Sequence, residues 1–315
     1  MPSSPLISLQ CMEVWGGNRA VDNGVAMPGL DVFVHARPHE GNDAGGDVHY
    51  LSSCATGRIT RLMVADVAGH GQSVSETALV LRGLMRRFIN HLDQQKAVEQ
   101  LNHEFSKHTH AGRFATAVLG TYWGPTGQLC LCNAGHPRPL WYRAKNKLWE
   151  PLEPPHVPTT PDDSESPQDV PLGILDSTTY RQLGVRLKRG DLVLLYTDSL
   201  TEARTTAGAL LGEQGLIDLL NGLGTPDPST LIAALNDALA AAGCTIDDDL
   251  TALLLSPNGL TPALTIRERL AAIAHIIRAM LPSRNHSALP EFGVKTVGGF
   301  FLDRLNKAGS TNPKR

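Results

Sequence analysis

Ile59-Thr60-Arg61-Leu62-Met63-Val64-Ala65-Asp66-Val67-Ala68-Gly69-His70-Gly71 is the stretch on which the reading of this chain turns. A β-type apolar run ends on an aspartate, and glycines then turn the chain. Just upstream, Gly45-Gly46-Asp47 leads into another such run, Val48 to Cys54, with Gly57 marking the turn between the two. Asp198 follows Leu192-Val193-Leu194-Leu195-Tyr196-Thr197, and Asp248 opens Asp248-Asp249-Leu250-Thr251 before a further apolar run. A single aspartate beside a strand is an ordinary turn residue. Four of them, held at strand ends facing solvent and beside turns that let backbone approach closely, form the pattern a hard divalent cation uses.

Working outward, the sequence predicts strands at Val32–Ala36, Val48–Cys54, Ile59–Ala65, Thr116–Trp123, Gln128–Cys132, Leu140–Arg143, Asp191–Thr197 and Leu250–Leu255. Ser73-Val74-Ser75-Glu76 has the form of a capping box. It introduces a helix whose apolar stripe is Ala78, Leu81, Met85, Phe88 and Leu92, with Arg82, Arg86 and Arg87 off the stripe. A second helix is expected over Gln94–Lys107, with Val98, Leu101 and Phe105 on its apolar face. Gly212–Leu220 and Ser229–Ala242 read as two further helices. Another capping box, Thr265-Ile266-Arg267-Glu268, opens a helix that Pro282 ends. Residues 150–171 are rich in proline and acid and are expected to form an extended loop, as a connector or as a flap over the site. Residues 1–28 read as irregular, with room for one edge strand. Strands interrupted by helix pairs, with few βαβ signatures, indicate an α+β layered fold.

The chain has 315 residues, 42% hydrophobic and only 5% aromatic, so a large and mainly aliphatic core is expected. Net charge is −3 with no long basic run, which gives no electrostatic case for nucleic acid. The five cysteines lack paired metal-type spacing, and Cys130 and Cys132 read as small buried groups on one strand face. No signal segment and no eighteen-residue apolar run is evident, so no membrane association and a reducing, cytoplasmic location are expected.

In order along the chain stand Gly45-Gly46-Asp47, Ala65 to Gly71, Asn133-Ala134-Gly135-His136-Pro137, Pro171-Leu172-Gly173-Ile174, Gly190-Asp191 to Asp198, Glu202-Ala203 and Asp248 to Thr251. This series resembles the metal-dependent protein phosphatase (PPM, type 2C) family, and within it the SpoIIE-like bacterial serine/threonine branch. The resemblance runs from about residue 29 to 256. It implies a four-layer α-β-β-α sandwich with two central, mostly antiparallel sheets. Residues 1–28 would be an N-terminal extension, and 257–315 a C-terminal helical extension and tail.

The resemblance also implies a metal-dependent phosphoserine/phosphothreonine phosphatase that uses an activated water and two Mn²⁺ or Mg²⁺ ions. Asp66 would bridge the ions, Asp47 would bind one directly or through water, and the Val67 carbonyl would add a backbone ligand. Asp198 and Asp248 would complete the other side, with Asp66 and Asp198 carrying the catalysis. A phosphorylated regulatory protein of the anti-sigma-antagonist type is the implied substrate. An activating partner or a second copy would act through helices 74–92 and 94–107. The alternatives are a catalytically weak phosphoprotein-binding module and a hydrolase of small phosphate esters. The sequence departs from the family pattern at Ser199, where glycine is usual. The arginine that many animal members place before the first metal aspartate has no counterpart at Asn42-Asp43. His70 and His136 are expected to be turn residues.

Overall fold

The structure is a computed structural model that describes residues 6–8, 14–39, 42–54, 58–69, 72–88, 93–108, 113–153 and 167–260. Thirteen strands occur among them: β1 (Ile7–Ser8), β2 (Val14–Gly17), β3 (Val21–Met27), β4 (Leu30–Arg37), β5 (Asp47–Cys54), β6 (Ile59–Val67), β7 (Ala115–Trp123), β8 (Gln128–Ala134), β9 (Leu140–Arg143), β10 (Leu148–Pro151), β11 (Gln182–Arg186), β12 (Leu192–Tyr196) and β13 (Leu250–Pro257). The helices are α1 (Gln72–Phe88), α2 (Gln94–His108), α3 (Gly212–Gly222) and α4 (Leu231–Ala241). One sheet has the order β1-β3-β4-β13-β12-β9-β10 and the other β11-β8-β7-β6-β5-β2. Every pairing is antiparallel except the two-residue contact of β1 with β3.

Alternation along each strand sorts side chains into three cores. Met63, Ala65 and Val67 of β6 face Ala78, Leu81 and Met85 of α1 and Val98, Leu101 and Phe105 of α2. Leu62 and Val64 of the same strand face Val193, Leu195, Leu253 and Leu255 of the opposite sheet. Leu192, Leu194 and Tyr196 of β12 point outward to Leu216 and Leu220 of α3 and Leu235 of α4. The result is the four-layer α-β-β-α sandwich, with β12 buried along its whole length because both faces are covered.

Several expectations need correction. The segment before residue 28 is not irregular: β2 pairs with β5, and β3 pairs with β4 through seven register positions. Its glycines hid it. A Cβ at Gly16 would lie 2.3 Å from the His49 carbonyl oxygen, so the close pass of β2 against β5 needs glycine. The expected 150–171 loop starts inside β10, and Leu172 bridges back to Ala115. β11, half-exposed at a sheet edge with Gly184 inside it, was not expected at all. The first capping box does not open α1, because the helix already begins at Gln72; Ser75 Oγ instead donates to the Ala44 carbonyl at 3.0 Å. Gly57, His70, Gly71, Leu92, most of the 150–171 segment and the 265–282 helix lie outside the described residues.

Candidate metal centre

The apolar interior between the sheets ends in a polar row. Leu51 on β5, Val64 on β6, Val118 on β7, Leu195 on β12 and Leu253 on β13 all belong to that interior. An even step along each strand keeps the same face. It reaches Asp47, Asp66, Thr116, Thr197 and Thr251, all at one end of the sandwich. Asp47 is the direct cross-strand partner of Asp66, and Asp66 of Thr116. Like charges in that position repel.

Asp47 is buried, at 6% exposure, which corrects the expectation that it faces solvent. Thr197 Oγ1 donates to Asp47 Oδ2 at 2.9 Å, and the Thr251 amide donates to the same hydroxyl at 2.9 Å. One hydroxyl thus ties the six-stranded sheet to the seven-stranded one. Burial, followed by the charge of Asp66, still holds the Asp47 carboxyl well above the usual carboxylate range.

Asp66 is half-buried and sits centrally. Burial first, then Asp198, Asp248, Asp249 and Glu202, push its carboxyl up to about 7. Asp198 opens a single 3-10 turn, Asp198–Leu200, whose first carbonyl accepts the amides of Thr201 and Glu202 at 2.8 Å each. Its carboxyl is raised by burial, then by Glu202 and Asp248. Asp248 is exposed, and its Oδ1 accepts the Asp249 amide at 2.7 Å. The Val67 amide donates to the Gly46 carbonyl at 3.4 Å, which joins the two glycine turns.

The donor set suits a hard divalent cation. It is made of carboxylate oxygens with one backbone carbonyl, the ligands of Mg²⁺ or Mn²⁺ rather than of Zn²⁺. Asp47 is raised by Asp66, Asp66 by Asp198 and Asp248, and Asp198 by Asp248, so a bound cation would relieve a repulsion already present. The absence of a side chain at Gly46 keeps the Val67 carbonyl open, since a Cβ there would lie 3.1 Å from that oxygen. Among the described residues, no three Asp, Glu, His or Cys side chains are grouped tightly enough to hold an ion between them. The carboxylates form a shared field rather than a closed shell.

Sequence reading missed four contributors. Thr116 carries no motif of its own, Thr197 stood inside a quoted motif without a role, and the roles of both arise from the pairing of strands. Glu202 and Asp249 stood inside quoted motifs without a role, although both press on Asp66. His136 is buried, with Nδ1 2.8 Å from Thr116 Oγ1, its amide donating to Asn133 Oδ1 at 2.7 Å and its carbonyl accepting from Asn133 Nδ2. It is linked to Asp66 through Thr116, the cross-strand partner of Asp66. Ser199 is buried and is not among the described non-glycine residues with positive φ, so glycine geometry is not needed there.

Comparison with known proteins fits this architecture. The phosphoserine phosphatase RsbU of Bacillus subtilis (strain 168) is 24% identical over 150 residues, which is 47% of this chain and 41% of that protein. The crystal structure of the RsbU and RsbW domains of Rv1364c from Mycobacterium tuberculosis superimposes with a TM-score of 0.59 at 25% identity. That match covers 83% of this chain and 71% of the other. RsbX in complex with magnesium superimposes with a TM-score of 0.54 at 17% identity, covering 76% of this chain and all of RsbX, a likeness of fold. The family model for Stage II sporulation protein E (SpoIIE) matches residues 56–258, and the chain belongs to that family, a branch of the PP2C-type serine/threonine phosphatases.

Proposed function

We propose that this protein is a metal-dependent phosphoserine/phosphothreonine protein phosphatase acting on a phosphorylated regulatory protein. The single observation that carries the reading is Asp66, set opposite Asp47 across one ladder and within the field of Asp198 and Asp248 from the other sheet. Two Mn²⁺ or Mg²⁺ ions would be held by Asp47, Asp66, the Val67 carbonyl, Asp198 and Asp248. When bound, the ions supply a water of lowered pKa and neutralise charge on the phosphoryl oxygens. Asp66 serves both halves of the set, and Thr197 fixes the orientation of Asp47. Water adds to phosphorus, the P–O bond to the serine or threonine oxygen breaks, and a proton from the attacking water ends on that oxygen, so that the free hydroxyl and inorganic phosphate leave. Uncatalysed, that hydrolysis is among the slowest known, so charge neutralisation is the dominant requirement.

Regulation is assigned to an activating partner or a second copy acting through α1 and α2. Their apolar stripes are spent on the core, yet Leu79 and Val80 remain exposed on α1. The likeness to RsbU, a phosphoserine phosphatase, supports the substrate class. No helix among the described residues is long and apolar enough to cross a membrane.

The test is turnover of a phosphoserine peptide and of a small phosphate ester, each with and without Mn²⁺. Mn²⁺-dependent release of phosphate from the peptide supports the reading. Tight binding without turnover would favour a phosphoprotein-binding module, and turnover of the small ester alone a small-ester hydrolase. Capture of a phosphoprotein by an Asp198→Asn form would then identify the substrate.

A further inference from the structure

Two carboxylates stand side by side before β13, and they do different things. Asp248 is exposed and faces the site. Asp249 presses on Asp66 too, but its carboxylate is bonded to residues more than 200 positions earlier in the chain. Its Oδ1 accepts the His39 amide at 2.6 Å, and its Oδ2 accepts the Gly46 amide at 2.5 Å. Charge-assisted bonds to two amides are stronger than neutral ones.

The glycines are shaped to this carboxylate. A Cβ at Gly45 would fall 2.4 Å from Asp249 Cγ and Oδ2, so the carboxylate fills the space a side chain at 45 would take. Gly45 is held from the opposite side by Asn18, whose Nδ2 donates to the Gly45 carbonyl at 3.1 Å and whose carbonyl accepts the Gly45 amide at 2.8 Å. The turn is therefore clamped from both sides immediately before Asp47. The Asp249 amide is in turn taken by Asp248 Oδ1, so the clamp and a proposed ligand also constrain each other.

We infer that Asp249 is a positioning residue. Its carboxylate captures the His39 and Gly46 amides, fixes the Gly45-Gly46 turn, and so sets where Asp47 stands relative to Asp66. The inference rests on the proposed metal-dependent activity, but its first readout does not. In the metal-free full chain, Asp249→Ala speeds hydrogen exchange at the Gly46 amide at least tenfold over the wild type, while the β12 and β13 amides keep their protection. Gly45→Ala, which displaces the carboxylate without removing it, does the same. By calorimetry both variants weaken Mn²⁺ binding about 10- to 100-fold, the range for residues that orient metal ligands. Asp249→Asn keeps one acceptor and shows a smaller loss than Asp249→Ala, whereas a directly ligating carboxylate would lose as much in either form.

Unchanged exchange at Gly46 in Asp249→Ala overturns the clamp. Faster exchange with wild-type Mn²⁺ affinity overturns its positioning role. If Asp249→Ala does not fold, Gly45→Ala and Asp249→Asn decide by the same two readouts. If the wild type itself binds no Mn²⁺ while exchange at Gly46 rises in the variants, the clamp stands and the metal-dependent reading is the one that fails.

Discussion

Thr197 Oγ1 donates to Asp47 Oδ2 across the gap between the two sheets, at 2.9 Å, and accepts the Thr251 amide from its own sheet. A valine at 197 has nearly the same shape but neither hydrogen-bonding capacity. It would leave a buried carboxylate and a buried amide each short of a partner, a loss of about 1–3 kcal/mol for each unsatisfied group. Thr197→Val is therefore expected to unfold at lower urea concentration and to bind Mn²⁺ more weakly, with Thr197→Ser close to wild type in both. Equal stability of the two variants would show that the hydroxyl does not link the sheets.

Asp66→Asn separates stability from function. Its carboxylate faces Asp47 directly and lies in the field of four further acids. Asparagine removes that repulsion, so the metal-free variant should melt above metal-free wild type. Turnover should fall on the order of 10²-fold or more, because the negative charge that would hold both cations is gone. Near-normal turnover at saturating Mn²⁺ would remove Asp66 from the centre of the mechanism.

β6, β12 and β13 were legible because both their faces are buried, which makes them largely apolar runs. β6 and β12 were placed within two residues at each end. The stripes of α1 and α2 were legible for the complementary reason, since only one side of each helix meets a sheet. β2, β3 and β11 were not: Gly16 and Gly24 read as breakers, although a Cβ at Gly16 would strike the β5 backbone and one at Gly24 the Leu6 side chain, and β11 is a half-exposed edge strand interrupted by Gly184. At the site, local sequence marked the strand-end aspartates. It could not show that Asp47 is opposite Asp66, that Thr197 reaches Asp47, or that Asp249 reaches Gly46. Those relations depend on pairings up to 203 residues apart.

His136 makes the fold acid-sensitive. Burial lowers its pKa from 6.5 to about 3, outweighing the opposing effect of the Tyr196 backbone. The folded state keeps the ring neutral while the unfolded chain takes up a proton below 6.5, so stability is present above that pH and falls as pH drops toward 3. Between pH 7.5 and 5.0 this one group should lower wild-type stability by ~2 kcal/mol, which His136→Asn should not lose. Urea melts of both proteins at the two pH values measure the difference. Parallel losses would show that the ring is not held neutral.

Ser199 replaces the glycine usual in the family, yet it lies in a 3-10 turn, is buried, and has Oγ 3.4 Å from Thr197 Oγ1. No left-handed backbone requires glycine there. Ser199→Gly is thus expected to leave the Mn²⁺ midpoint unchanged and to lower stability by roughly 0.5–1 kcal/mol through added freedom of the unfolded chain. A tighter Mn²⁺ midpoint in the variant would mean that the serine restrains the site.

Val74 and Met85 test whether α1 transmits a signal to the site. Val74 lies in the first turn of the helix and packs against both glycine turns: a Cβ at Gly46 would be 2.8 Å from its Cγ1, and one at Gly69 would be 3.2 Å from its Cγ2. Met85, three turns on, is fully buried among the residues between α1, α2 and the sheet. If the helix is only core, both truncations lower stability alone, Met85→Ala by about 2–5 kcal/mol. If a shift of α1 moves the site, Val74→Ala changes the Mn²⁺ midpoint by roughly 5- to 150-fold, the range of ordinary allosteric coupling. Met85→Ala then leaves the midpoint of the folded fraction where it was. Thermal melts and Mn²⁺ titrations on the two variants decide between these outcomes. Unchanged midpoints in both would confine α1 to packing, and a partner bound on its exposed Leu79–Val80 side could not act through Val74.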